Sequence, residues 1–160
     1  MQKIAVKVKK LAHFKTGELP SYGSLHASGF DLCAQLPSKL TINPGERALI
    51  PTGLSFEIPP GYEIQVRPRS GWAIKKGVSV VNTPGTVDAD YRGEVQVGLI
   101  HLGKEPMDIL PGDRIAQAVL CPVVQAELVE TTELSDTERG AGGFGSTGFG
   151  QRIPAPGANS

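Results

Sequence analysis

Three short segments of this chain hold residue types that could do chemistry on a phosphorylated, aromatic ligand. Asn82-Thr83-Pro84-Gly85-Thr86-Val87-Asp88-Ala89-Asp90-Tyr91-Arg92-Gly93-Glu94 sets a carboxylate and a phenol three residues apart between two apolar runs. A base and a stacking surface could share one pocket there, although Pro-Gly and Asp are also ordinary hairpin chemistry. Arg67-Pro68-Arg69-Ser70-Gly71 precedes a short helical pattern, so its amides and hydroxyl could hold an anion or simply cap a helix. Arg139-Gly140-Ala141-Gly142-Gly143-Phe144-Gly145-Ser146-Thr147-Gly148 mixes glycines, two hydroxyls, a guanidinium and an aromatic ring. That composition suits a phosphate cradle with a stacking lid, or a glycine-rich linker.

Two further segments read singly as structure. Ser28-Gly29-Phe30-Asp31-Leu32-Cys33-Ala34 fits a bend with an exposed Asp, and Gly112-Asp113-Arg114-Ile115-Ala116-Gln117 fits a turn entering a core strand. His13, His26 and His101 are scattered without a Ser or Cys partner pattern, so any general base is expected to be a carboxylate. Cys33 and Cys121 lie in apolar runs with no CxxC or metal-ligand spacing and read as buried thiols of a reducing compartment. Trp72 reads as a packing residue.

These segments need a rigid scaffold, and the pattern around them is that of an all-β sandwich or barrel. Ile4, Val6 and Val8 alternate with Ala5 and lysines, a period of two that opens the chain with a strand. Further strands are expected at Leu40–Ile42, Arg47–Ile50, Leu54–Ile58, Tyr62–Val66, Val78–Val81, Glu94–His101, Met107–Ile109, Arg114–Pro122 and Ala126–Val129. Turn signals at Asn43-Pro44-Gly45, Pro59-Pro60-Gly61, Thr83-Pro84-Gly85 and Pro111-Gly112-Asp113 separate them. Ser70 to Gly77 alone reads as helical, with Ser70 as cap and Gly77 as left-handed exit.

The 160 residues suffice for one core, which the composition ends near Leu134. Lys plus Arg balances Asp plus Glu at 16 each, which leaves no net field to hold a nucleic-acid backbone or an anionic bilayer. The charged start and the absence of a long apolar run fit a soluble, cytoplasmic protein.

Taken together and in order, Ser28–Ala34, Arg67–Gly71, Asn82 with Gly85–Glu94, Gly112–Gln117 and Arg139–Gly148 resemble the five motifs of the trimeric dUTP pyrophosphatase (dUTPase) family. The resemblance runs from Ile4 to Gly150. It implies a jelly-roll-like β-barrel of the β-clip type over residues 1–134, an arm at 135–150 that closes over the site, and an unassigned, disordered tail at 151–160. It further implies a homotrimer with active sites shared between subunits. The reaction would convert dUTP to dUMP and pyrophosphate, supplying dUMP for thymidylate synthesis and keeping uracil out of DNA.

By the same resemblance Asp88 is the general base for a water attacking the α-phosphorus, and Gln117 lies beside that water. Arg69, Ser70 and Gly71 of one subunit, with Arg139, Ser146 and Thr147 of another's arm, would grip the phosphates. Mg²⁺ would ride mainly on triphosphate oxygens and touch Asp31 through a water. Asn82, Thr86, Val87 and Gln96 would select uracil, Tyr91 would pack under the deoxyribose and exclude ribose, and Phe144 would stack on the base. The family often has Leu where this chain has Trp72. A dCTP deaminase-type relative and a non-catalytic nucleotide sensor are the alternatives on the same scaffold.

Overall fold

A computed structural model describes residues 3–15 and 17–143. The order is β1 (Lys7–Lys10), β2 (Phe30–Cys33), β3 (Leu40–Ile42), β4 (Arg47–Pro51), β5 (Leu54–Glu57), β6 (Tyr62–Arg67), α1 (Ser70–Lys76), β7 (Val78–Val80), β8 (Gly85–Val87), β9 (Gln96–His101), β10 (Met107–Ile109) and β11 (Arg114–Pro122). The all-β reading with one short helix holds. Four antiparallel ladders share the strands: β2-β11-β6-β8, β4-β9-β7, β1-β5 and β10-β3. The chain divides into two compact units, Met1–Gln125 and Ala126–Ser160.

Period-two alternation builds the first unit. Leu32, Ile50, Leu54, Ile64, Val97, Leu99, Ile109 and Ile115 are each 1% exposed or less and meet in one apolar cluster. Their neighbours in sequence point outward, as the pleat requires. His101 is the buried exception, and the loop beyond it satisfies both ring nitrogens: Gly103 N–H donates to Nδ1 at 3.3 Å, and Nε2 lies 2.6 Å from the Glu105 carbonyl oxygen. That buried histidine is structural.

Several sequence expectations shift. The first strand begins at Lys7, because pairing with β5 runs from Lys7 opposite Glu57 to Lys10 opposite Leu54. Phe30–Cys33, read as a bend, is a strand on β11, and Gly85–Val87, read within the hairpin loop, is a strand on β6. Ala126–Val129 forms no strand; Leu128 and Val129 are 93% and 77% exposed, so its apolar residues find no partner. Neither thiol is fully buried: Cys33 and Cys121 are both free and half-buried.

The helix also starts differently. Arg69, following Pro68, keeps an extended backbone (φ −88°, ψ 126°) and is the N-cap without a side-chain capping bond, so Ser70 is the first helical residue and not the cap. Its exit is as expected: Gly77 has φ 69°, and its N–H closes the last turn. A Cβ at Gly77 would lie 2.6 Å from the Gly103 amide nitrogen, so glycine is required there for both conformation and space. Gly77→Ala should therefore cost about 2 kcal/mol or more of stability. Urea unfolding would show this, and a loss below about 0.5 kcal/mol would contradict the back-to-back packing.

Candidate active site

At one end of the four-stranded sheet, three strands bring a row of polar residues together. Gln117 on β11 stands opposite Asp31 on β2 and opposite Arg67 on β6, so the three side chains share one face. Asp31 is the hub. Its Oδ1 pairs with Arg69 Nε at 2.9 Å and its Oδ2 with Arg114 Nη1 at 3.2 Å, in a part-exposed setting. Arg69 Nη1 also donates to the Arg114 carbonyl at 3.2 Å, and Gln117 Nε2 donates to the Pro68 carbonyl at 3.0 Å. The loop into α1 is thus tied to β2 and β11, and Arg69 is aimed before any anion arrives.

Ser70 and Gly71 occupy the first turn of α1. The amides of Trp72 and Ala73 already bond the Arg69 carbonyl, and a Cβ at Gly71 would meet nothing within 4 Å, so this turn faces open space. Beside it, burial raises the Cys33 thiol pKa, with the Asp31 charge adding to the rise and Arg114 and Arg69 opposing it. Cys33 accordingly stays a thiol at neutral pH. Gly29 passes close beneath: a Cβ there would lie 3.0 Å from Gln117 Oε1, so glycine leaves Gln117 its room.

The second group lies at the far end of the same sheet. Thr86, Val87, Asp88, Tyr91, Glu94, Val95 and Gln96 line a cleft of about 220 Å³. Asn82 folds back across Gly85, with Nδ2 3.2 Å from where a Cβ on that glycine would stand. The Thr83–Pro84 peptide between them is cis. The Tyr91 hydroxyl donates to the Glu94 carbonyl at 3.0 Å, and its ring lies against Gly93, where a Cβ would be 2.6 Å from Tyr91 Cζ. Arg92 Nη1 bonds the carbonyls of Ala89 and Tyr91 at 2.6 and 3.0 Å and closes the loop from outside.

The register separates these groups within one chain. On β6, Val66 faces Gly85 and Ile64 faces Val87, whereas Arg67 faces Gln117. Val87 is therefore three residues from the Arg67 level, about 10 Å along the strands, and two strands across, roughly another 10 Å. One copy brings Asp31, Arg69, Ser70, Gly71 and Gln117 together, and Thr86, Val87, Asp88, Tyr91 and Gln96 together, but not the two sets.

In the second unit Arg139 sits in a local turn, its Nε donating to the Gly142 carbonyl at 2.8 Å. Phe144, Ser146 and Thr147 lie outside the described residues. Sequence reasoning passed over Arg114, which shares Asp31 with Arg69 although it stands inside a quoted motif, and Glu94, the last residue of the hairpin segment. The signal for both was a charged residue abutting a chemistry-bearing stretch.

The dUTPase family model matches residues 15–148. A deoxyuridine 5'-triphosphate nucleotidohydrolase of Bdellovibrio bacteriovorus is 66% identical over 148 residues, covering 92% of this chain and 99% of that one. Among solved structures, the dUTPase of Staphylococcus bacteriophage 80alpha with dUPNHPP superposes with a TM-score of 0.82 at 26% identity, over 91% of this chain and 99% of the other. The dUTPase of phage phi11 of S. aureus, described as coordinating a structural Mg(II) ion, shares the fold at 21% identity and a TM-score of 0.72, over 81% and 98%. With a phosphate-facing group and a base-sized cleft on one sheet, and with this match over most of its length, the chain belongs to the dUTPase family.

Proposed function

We infer that this protein hydrolyses dUTP to dUMP and pyrophosphate. The observation that carries this reading is the pairing, on one all-β scaffold, of the Asp88–Tyr91 cleft with the Arg69–Asp31–Gln117 row. The cleft has the size for a nucleoside, and its backbone edge at Thr86 and Val87 would pair with uracil and leave no room for a 5-methyl group. Cytosine would reverse the donor and acceptor pattern and leave buried groups unpaired. Tyr91, held against Gly93, would floor the sugar and exclude a 2′-hydroxyl, with Asn82 and Gln96 flanking.

In the reaction Asp88 would take a proton from a water held beside Gln117 as that water attacks the α-phosphorus, and pyrophosphate would leave. Arg69, with the amides and hydroxyl of Ser70 and Gly71, would neutralise the phosphate oxygens. Arg139, Ser146 and Thr147 would complete the grip and Phe144 would cover the base as the arm closes. General-base help contributes about 10²–10⁴-fold, so the pre-aimed guanidinium matters at least as much as the base.

No group of three or more metal-ligating side chains converges among the described residues, and each Asp31 oxygen already meets a guanidinium. That donor set fits a cation whose inner ligands are substrate oxygens and waters, with Asp31 touching it through water. Bound so, Mg²⁺ would neutralise triphosphate charge.

The separation of the two groups within a chain supports a site assembled between copies. A covering partner is also indicated by the outer face of β4-β9-β7, where Leu49 and Val81 are 64% and 48% exposed beside Gly98 and Ile100. We assign a homotrimer in which one chain's hairpin meets another's Arg69 end. Free thiols and a nucleotide substrate suit a cytoplasmic setting, and no described helix is long and apolar enough to cross a membrane. Nucleic acid is not a partner in this reading. The deaminase alternative is weaker, because the Asp88-to-Tyr91 spacing and the glycine-rich arm both suit hydrolysis.

Pyrophosphate release with Mg²⁺ should occur with dUTP and be small with dTTP, dCTP and UTP, and Asp88→Asn should lower it by about 10²–10⁴-fold. Ammonia release from dCTP, or dUTP binding without turnover, would overturn the assignment. Shared sites make a second prediction. Co-refolding inactive Asp88→Asn chains with inactive Arg69→Ala chains in equal amounts should restore about a quarter of the sites, since random closed assembly then pairs an intact hairpin with an intact phosphate end. No recovery in mixed trimers, confirmed by mass, would place each site within one chain.

A further inference from the structure

One polar cluster at the base of the hairpin has no part in the chemistry above. Glu94 ends the segment that carries Asp88 and Tyr91, and its side chain is 18% exposed. Glu94 Oε1 accepts the Gly53 N–H at 2.7 Å and meets His13 Nε2 at 2.8 Å. Its own carbonyl accepts the Tyr91 hydroxyl at 3.0 Å, and the next amide, Val95 N–H, donates to the Leu54 carbonyl at 2.8 Å. This residue is thus fastened through its carboxylate, its carbonyl and the peptide that follows.

The N-terminal turn is fastened to the same point. Leu11 N–H donates to the Gly53 carbonyl at 2.8 Å, Phe14 N–H to the Leu11 carbonyl at 2.9 Å, and Lys15 N–H to Gln35 Oε1 at 2.7 Å. Gly53 has φ +66°, and a Cβ there would stand 3.1 Å from Phe14 Cα, so glycine lets the turn approach. Gly53 consequently links His13's turn on one side to Glu94 on the other.

Glu94 also lines the cleft with Asp88 and Tyr91. The Tyr91 ring rests on Gly93 and its hydroxyl on the Glu94 carbonyl, so the height of the ring in the cleft is set by the backbone at 93–94. We propose that Glu94 is a positioning residue for sugar selection: held by Gly53 and His13, it fixes the backbone under Tyr91. This rests on the reading of Tyr91 as the floor of a deoxyribose site. The N-terminal turn thereby acts on specificity from outside the cleft.

The test measures kcat and KM for dUTP and UTP on the full-length protein, with thermal unfolding alongside. Glu94→Ala should cut the dUTP-over-UTP ratio of kcat/KM by about tenfold, the scale of a lost hydrogen bond to a charged group, mainly through a higher KM for dUTP. Glu94→Gln keeps an acceptor for Gly53 N–H and should recover most of the ratio. His13→Gln should move it in the same direction by less. An unchanged ratio in folded Glu94→Ala, or an equal fall in kcat for both nucleotides at constant KM, overturns the proposal. Should Glu94→Ala not fold, His13→Gln decides, because that side chain is part-exposed and an unchanged ratio there is equally fatal. Wild-type protein inactive on dUTP would instead bring down the functional reading itself.

Discussion

The register of β6 between β11 and β8 is the constraint on which the other features depend. Antiparallel pairing fixes Gln117 opposite Arg67 and Val87 opposite Ile64, and a slip of one residue would turn Ile64 and Val66 out of the core. Burial of those side chains, at 1% and 4% exposure, therefore also fixes where the functional residues stand. The same constraint keeps the two functional groups apart in one copy. A scaffold rigid enough to aim each group cannot also bend them together, and association of copies resolves the conflict without loosening the core.

Much of this was readable from the chain because the determinants are local. Leu40–Ile42, Met107–Ile109 and Arg114–Pro122 have the bounds expected from alternation and turn residues, and Gly77 takes the left-handed exit that its position implied. What could not be read depends on partners distant in sequence. Phe30-Asp31-Leu32-Cys33 has only four residues, too few for periodicity to separate a strand from a bend, and becomes a strand through pairing with β11 some eighty residues later. Ala126–Val129 has the converse problem: it alternates convincingly, yet alternation gains nothing without a sheet to bury it.

Site residues follow the same division. Asp88, Tyr91 and Thr86 were legible because one hairpin carries them all. Asp31 was legible only as a motif member; its pairing with Arg69 and Arg114 joins positions far apart in sequence, which no local pattern displays. His13 and Glu94 are further apart still, and each looked like ordinary surface charge.

Asp31 has a physical role at the phosphate end even before ligand binding. Two guanidinium groups on adjacent segments repel, and each is free to swing toward solvent at an entropic cost when it must later be ordered. A carboxylate between them offsets the repulsion and restricts both arginines, so that the positive field at this end of the sheet is organised in advance. An arriving polyphosphate then meets donors already oriented, and because Asp31 keeps the local net charge modest, charge brought in with the ligand is accommodated and not opposed by an overcharged pocket. The arrangement favours binding the triphosphate with its cation over binding a bare anion, which is the form a magnesium-dependent hydrolase must select.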